Sequence, residues 1–278
     1  MTTGNAKIPV TVAVLTFNSG ETLARALESV KDFAEIIVCD GGSNDETLNI
    51  ARTYGARIIS QDPGFKNGEK KIIDFAGVRN QTLAAASHGW FLYIDSDEYI
   101  GKEVAEEIGE IAAAGAAPAA YWVPRRYVLN GQTIDCAATY PGNKQIRFFH
   151  RDAVNKFVKT IHEKIELKQN APVKVFAGPM FVPLSPDPME MRRKWEHYIT
   201  LECARRGRIT FWQWLLVCTE NAKISALYLF RFLRNLMFCR GARLPWRLER
   251  ERHIYHVNIC RRFWHLIGAR RGRSEKSS

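Results

Sequence analysis

The 278-residue sequence predicts an α/β fold: a mixed sheet flanked by helices, followed by a basic helical region. Three observations carry that expectation. Apolar, β-branched runs alternate with helical stretches from Val10 to Ile94, the pattern of a mostly parallel sheet. Past residue 119 the apolar runs flank Asn130-Gly131, a hairpin signal, so the second half turns antiparallel or mixed. The charge also divides. Residues 1–187 carry 20 Lys+Arg against 22 Asp+Glu, a net of −2, and residues 188–278 carry 20 against 7, a net of +13. Five of the seven tryptophans lie in that basic last third. The expected division is therefore residues 1–187 and 188–278, separated at the Pro-rich "PLSPDP".

The elements follow in order. "VTVAVLTFN" (10–18) is a continuous apolar run, as a strand covered on both faces requires. "ETLARALESV" then sets Leu23, Ala26, Leu27 and Val30 on one helical face. "EIIVCD" (35–40) is the second strand. Ser43 with Glu46 fits a capping box opening the helix that follows. "ARIISQ" (56–61) is the third strand, residues 69–87 form a helix, and "WFLYI" (90–94) is the fourth strand. A helix covers 101–114. "KQIRFFH" and "KTIHEKIEL" alternate as further strands. Beyond 188, "MEMRRKWEHYITLECARRG" is a helix with Trp195, Tyr198, Ile199 and Cys203 on one face and Gly207 as its stop.

Composition narrows the class. Hydrophobic content of 46% and charged content of 25% are those of a globular chain, not a disordered one. The six scattered cysteines show neither a C-x-x-C pair nor zinc spacing, which reads as reduced thiols and a cytoplasmic protein. The first apolar run lacks a signal-peptide cleavage site and is expected to be the buried first strand. Neither apolar stretch of the last third reaches the ~20 residues that cross a bilayer.

In parallel sheets ligands sit beyond the carboxyl ends of the strands. Three polar turns fall there: Thr16-Phe17-Asn18, Asp40-Gly41-Gly42 and Asp95-Ser96-Asp97. Carboxylates one residue apart at a strand end can face a hard cation such as Mg2+ or Mn2+, which completes its shell with phosphates and water. The competing reading is a solvated strand terminus before a helix. Asp40 can accept from a base or ribose, or simply build its turn. Asp45 reads as a helix N-terminal acid.

Taken together, "VTVAVLTFNSGETLARALESV", "EIIVCDGGSNDET", "GVRNQTLAAA" and "WFLYIDSDE" resemble the inverting glycosyltransferases of family 2, with the GT-A fold. Their lipopolysaccharide-core, β-1,4-glucosyltransferase-like branch is the most similar. The resemblance covers residues 8–170 and weakens beyond. It implies that Thr16, Phe17 and Asn18 line a nucleotide pocket and that Asp40 contacts base or ribose. It further implies that Arg79 reaches the ribose or diphosphate, with Asn80 as a helper. Asp95 would face the ribose and metal side, and Asp97 would be the principal ligand of a Mg2+ or Mn2+ ion bridging the diphosphate. For Arg79 the alternative is a surface helix arginine.

Single-displacement inversion needs one base for the acceptor hydroxyl. In the resembling branch a His-Glu pair follows the "RFF" strand, which here gives Glu163 as base with His162 orienting it or binding acceptor. A lysine-paired strand residue is the other reading of Glu163, and Asp135 is the fallback base. Arg147 is either a phosphate contact or an ordinary strand residue. Lys70 and Lys71 sit where "PGFKNGEKKIIDF" departs from the family, and Glu98 is expected to be structural.

The implied donor is a nucleotide sugar, UDP-linked, and the implied acceptor a glycolipid or lipopolysaccharide core. Arginines among Trp, Phe and Leu in "LYLFRFLRNLMFCRG" and "CRRFWHLIGARR" fit an anionic membrane surface, placing the protein at the inner face of the cytoplasmic membrane. The competing reading packs that apolar face on the catalytic domain. Nucleic acid is not expected, for want of a binding motif. His253-x-x-His256 lacks a third metal ligand. A catalytically silent membrane-bound scaffold is a further alternative. So is a sugar-phosphate nucleotidyltransferase, although "LTFNSGETL" lacks its Gly-rich phosphate loop.

Overall fold

The computed structural model describes residues 6–68, 72–159 and 163–268. The chain divides into two compact units, Met1–Val128 with Pro141–Pro183, and Leu129–Tyr140 with Leu184–Ser278. The segment Leu129–Tyr140, which the sequence reading counts with the first 187 residues, thus groups with the C-terminal helices.

The chain runs β1 (Ile8–Thr16), α1 (Leu23–Glu28), β2 (Phe33–Asp40), α2 (Thr47–Thr53), β3 (Arg57–Ser60), α3 (Phe75–Ala85), β4 (Trp90–Asp95), β5 (Tyr99–Ile100), α4 (Lys102–Ala113) and β6 (Ala120–Leu129). Then come β7 (Gln132–Thr133), β8 (Lys144–His150), β9 (Val154–Val158), β10 (Lys164–Leu167), β11 (Val173–Val175) and β12 (Met180–Leu184). The main sheet is ordered β3-β2-β1-β4-β8-β6-β12-β5, with β11 beside β6. β1, β2, β3 and β4 pair in parallel, and β8 pairs antiparallel with both β4 and β6. The mixed sheet expected from the sequence is the one observed. β10 differs, pairing among the described residues with β9 in a separate two-stranded ribbon.

From Val10 onward every residue of β1 is buried, because both faces of the sheet are covered. On one face Val10, Val12 and Val14 join Leu92 and Ile94 under Leu23, Leu27, Val104 and Ile108 of α1 and α4. On the other, Ala13, Phe91 and Tyr93 meet Phe149, Phe157 and Ala76. Strand order reverses between β1 and β4, the point at which a parallel sheet opens a crevice at its carboxyl edge.

Two local expectations are corrected. The capping box at Ser43 and Glu46 does not form: α2 starts without a side-chain cap at Glu46, because Ser43 is hydrogen-bonded to Asp40 and Asn18 instead. The helix drawn over 69–87 is described only from Phe75, where Asp74 accepts the N–H of Gly77 at 3.0 Å. The hairpin signal is met, since Asn130 and Gly131 have φ of 51° and 78°, the pair of positive angles a tight primed turn requires.

In the second unit α5 (Pro188–Arg206), α6 (Phe211–Phe238) and α7 (Trp246–Trp264) are long helices. Gly207 ends α5 with φ 63°, where a Cβ would be strained. Glu251 of α7 receives Arg192 of α5 through two bonds of 2.8 Å. Among the described residues no helix is long and apolar enough to cross a membrane.

The expectation of six reduced cysteines fails for one pair: Cys136 and Cys239 form a disulfide with Cα atoms 6.5 Å apart. Backbone pairing explains it. Asp135 and Cys136 donate to the carbonyl of Ala242, and Leu244 donates to Cys136, laying the two segments side by side. With the thiols 103 positions apart in sequence, nothing in their spacing signals the bond. The localisation therefore no longer rests on the cysteines.

Candidate active site

The parallel register brings the three polar turns together. Thr16 pairs with Asp40 across β1–β2, and Leu15 pairs with Asp95 across β1–β4. All three turns therefore lie at one edge of the sheet, as anticipated.

Asp40 is buried and builds its own turn. Its carboxylate accepts from Thr16 Oγ1 at 2.9 Å, Ser43 Oγ at 2.6 Å, and the N–H groups of Gly42 and Ser43 at 2.8 Å. Those four bonds fill the acceptor sites of a carboxylate. The turn role of Asp40 is thus observed.

Asn18 adopts a left-handed conformation, φ 49°, which asparagine tolerates. Its N–H donates to Ser43 Oγ at 2.8 Å and its Oδ1 accepts from Asn44 at 2.9 Å. Ser19 and Ser96 share a hydroxyl bond of 2.9 Å, tying the β1 loop to the turn after β4. Phe17 is half exposed, and a Cβ on Gly41 would stand 3.1 Å from its ring and from Gln61 Oε1, so a side chain there would press on both.

Beside this loop lies a buried charge cluster. Arg79 of α3 is only 1% exposed, which excludes the surface-arginine reading. It donates to Asp95 through Nη2, and its Nε is 3.8 Å from Glu163 Oε1. Arg147 of β8, equally buried, donates to the other Asp95 oxygen at 3.1 Å and lies 2.9 Å from Glu98. Both guanidiniums lie over the Tyr93 ring, each 4.7 Å from its centroid. Arg125 adds a third cation on Glu98. Arg79 Nε and Nη1 and Arg147 Nε and Nη1 are buried with no hydrogen-bond partner among the described residues.

The electrostatics follow from this packing. Burial opposes charge on Asp95, but the guanidiniums of Arg147 and Arg79 outweigh it and hold the carboxyl well below the usual range. Burial likewise works against Arg147, yet Glu98 and Asp95 raise its pKa above the ordinary value. Burial pushes the Tyr93 hydroxyl, which donates to the carbonyl of Ile146, up to about 12.

Asp97 is half buried in the turn that Asp95 O and Glu98 N close at 3.0 Å. Glu98 is structural, as expected: its carboxylate, 1% exposed, also accepts the Asp95 N–H at 3.2 Å. Among the described residues no group of three or more metal-ligating side chains is assembled. The donor chemistry still fits a hard cation bound mainly through substrate oxygens, which needs one or two carboxylates. Both Asp95 oxygens face arginines, and Asp97 is the carboxylate that the resemblance assigns to such an ion.

Other expected residues are placed differently. Asn80 pairs with both backbone groups of Phe157, at 2.8 and 2.9 Å, and so anchors β9. Asp135 lies in the second unit, where it accepts the N–H of Ala242 at 2.7 Å. His162, Lys70 and Lys71 lie outside the described residues. Lys66 was missed: its Nζ reaches the carbonyl of Gly41 at 3.2 Å, beside the Asp40 turn. Arg125 and Arg147 were also under-read, because strand sequence does not reveal that both converge on Glu98.

A clamped polar loop, an aspartate turn and an arginine-bound acidic turn thus share the carboxyl edge of the sheet, where α/β proteins bind their ligands. Residues 11–176 match Glycosyl transferase family 2, more than half of the chain, and the protein belongs to that family. Its fold is the GT-A fold that the resemblance implied. A TPR repeat-containing protein of Synechococcus elongatus is 31% identical over 164 residues, 59% of this chain and 37% of that one. An uncharacterized glycosyltransferase of Rickettsia typhi is 32% identical over 106 residues, 38% of this chain and 33% of that one. The chain thus spans about a third of the length of the curated relatives it matches. Among solved structures, S. aureus TarS in complex with UDP superposes with TM-score 0.45 at 16% identity, over 83% of this chain and 72% of that one.

Proposed function

We propose that this chain is an inverting glycosyltransferase that moves a sugar from a UDP-linked donor to a glycolipid or lipopolysaccharide-core acceptor. The observation that carries it is the Arg79 cluster: Asp95 and Glu163 meet one buried guanidinium, in a family 2 chain.

A nucleoside-diphosphate leaving group gains negative charge as the glycosidic bond breaks. The Arg79 and Arg147 nitrogens without partners are donors suited to it, and buried donors held in place stabilise developing charge with little reorganisation. Thr16, Phe17, Asn18 and Asp40 shape the nucleotide side, with Phe17 as the exposed ring for the base. Glu163 takes the proton of the acceptor hydroxyl, with Arg79 positioning it, and His162 beside it in sequence orients it or binds acceptor. No second nucleophilic carboxylate is needed in a single displacement. A Mg2+ or Mn2+ ion held by Asp97, when bound, would supply Lewis-acid stabilisation of the diphosphate.

The basic last third supports work at an anionic membrane surface, on the inner face of the cytoplasmic membrane, with residues 1–187 as the catalytic part. The test is release of UDP from a panel of UDP-sugars, with and without EDTA and added lipopolysaccharide core. UDP release that depends on the core supports the reading. No release from any donor would overturn it, and full release in EDTA would remove the metal.

A further inference from the structure

The helical hairpin of α6 and α7 is inside out. Its seam is polar and aromatic, in antiparallel layers. Trp214 meets Trp264 at 4.9 Å between ring centroids, with Trp214 Nε1 donating to the Cys260 carbonyl at 2.9 Å. Cys218 faces Cys260, Asn221 Oδ1 lies 2.7 Å from His256 Nδ1, and Ser225 Oγ lies 2.6 Å from His253 Nδ1. Phe232 closes the series against Trp246 at 4.8 Å.

The side of α6 facing away from this seam is apolar. α6 has no buried residue along its 28 positions. Trp212, Leu216, Phe230, Met237 and Phe238 are each between 64% and 73% exposed. At 100° per residue, Trp212, Leu216, Phe230 and Met237 form one stripe opposite Trp214, Asn221 and Phe232, with Lys223 and Arg234 in the same stripe. Water does not favour so long a row of large apolar groups on a soluble protein. Polar contacts between helices with apolar groups outside is the arrangement that lipid favours.

We propose that α6 docks lengthwise on an anionic lipid bilayer, lying in its surface with this stripe sunk to the headgroup–acyl boundary. At 1.5 Å per residue the helix would lie along about 42 Å of membrane. Glu220, Lys223, Arg231 and Arg234 interrupt it too often for it to span, in accord with the absence of a membrane-crossing helix among the described residues. Lys223, which pairs with Glu220 at 2.8 Å, and Arg234 stand in the apolar stripe, where their stems can lie on acyl chains while their charges exchange onto lipid phosphates. Charge selects this occupant over a second copy of the chain. α6 carries Lys223, Arg231 and Arg234 against Glu220, and residues 188–278 together carry +13. Two copies of this basic region would therefore repel, whereas an anionic leaflet attracts it. The inference rests on the proposed membrane-borne acceptor, but it is tested without catalysis.

The experiment is flotation of the full chain with vesicles of phosphatidylcholine, alone or mixed with phosphatidylglycerol. Wild type should float with the mixed vesicles. The double variant Trp212→Glu with Phe230→Glu should lose about tenfold in partitioning per aromatic removed. A second variant, Lys223→Ala with Arg234→Ala, keeps the apolar stripe and should lose about 30-fold in low-salt partitioning, the effect of two charges near an anionic leaflet. Undiminished flotation of both variants would overturn the proposal. So would light scattering that shows a wild-type dimer converted to monomer by the aromatic variant. UDP release is measured in the same samples: its absence from wild type would count against the transferase reading, while flotation alone decides this one.

Discussion

Arg147 and Glu98 form a buried ion pair of 2.9 Å beneath the turn that carries Asp97. Glu98 is 1% exposed and also holds Arg125 and the Asp95 N–H. Replacing it with glutamine keeps the shape and removes the charge from two buried cations. Glu98→Gln should therefore destabilise the protein by about 3 kcal/mol or more, the scale for breaking a buried pair on one side. Urea unfolding of variant and wild type measures it, and a loss below 1 kcal/mol would show that the cluster is not held by Glu98.

Arg79 and Glu163 separate by kinetics. Arg79→Lys keeps a positive charge but loses the planar fork and the stacking on Tyr93. It should lower kcat/KM for sugar transfer about 100-fold, the scale for one donor to developing charge. Glu163→Gln should leave UDP binding by calorimetry within about twofold and lower transfer about 100- to 10,000-fold, the range for a general base. Unchanged turnover in Glu163→Gln would remove it from the role of base.

The disulfide predicts a thiol count. Unfolded without reductant, the oxidised protein should titrate four thiols, Cys39, Cys203, Cys218 and Cys260, and six after reduction. Cys136→Ser should cost about 2–5 kcal/mol under oxidising conditions and much less under reducing ones, as loss of a long-loop cross-link implies. A count of six in the unreduced sample would refute the bond.

The parallel half of the fold was legible because β1, β2 and β4 are apolar runs that end in polar turns. Once β1 is taken as central, its neighbours' ends must flank Thr16. The structural reading of Glu98 also held, its carboxylate being buried on Arg147 and Arg125. Three things were not legible. Ser43 looks like a cap in sequence, but a buried Asp40 three residues earlier competes for it and wins at 2.6 Å. Arg125 and Arg147 lie 22 residues apart and reach Glu98 only because β6 and β8 are adjacent antiparallel strands. Local pattern carries no signal for that, nor for the Cys136–Cys239 bond.

The seam of α6 and α7 makes a pH prediction. Burial, with His253 and Arg252 close by, pushes His256 down to about 4, and burial also lowers His253. Facing them are Asn221, Ser225 and Tyr228 from α6 and Arg252 and Tyr255 from α7, none of which offers an anion. Both rings are therefore neutral in the folded hairpin at pH 7. An unfolded histidine binds its proton near pH 6.5, so between about 6.5 and 4 the unfolded chain holds more protons than the folded one. Stability contributed by the neutral rings is present above that window and is lost as pH falls through it. The thermal midpoint followed by tryptophan fluorescence should drop between pH 7 and 4.5, and His256→Gln should flatten part of the slope. A variant slope equal to that of wild type would show that His256 does not titrate against folding.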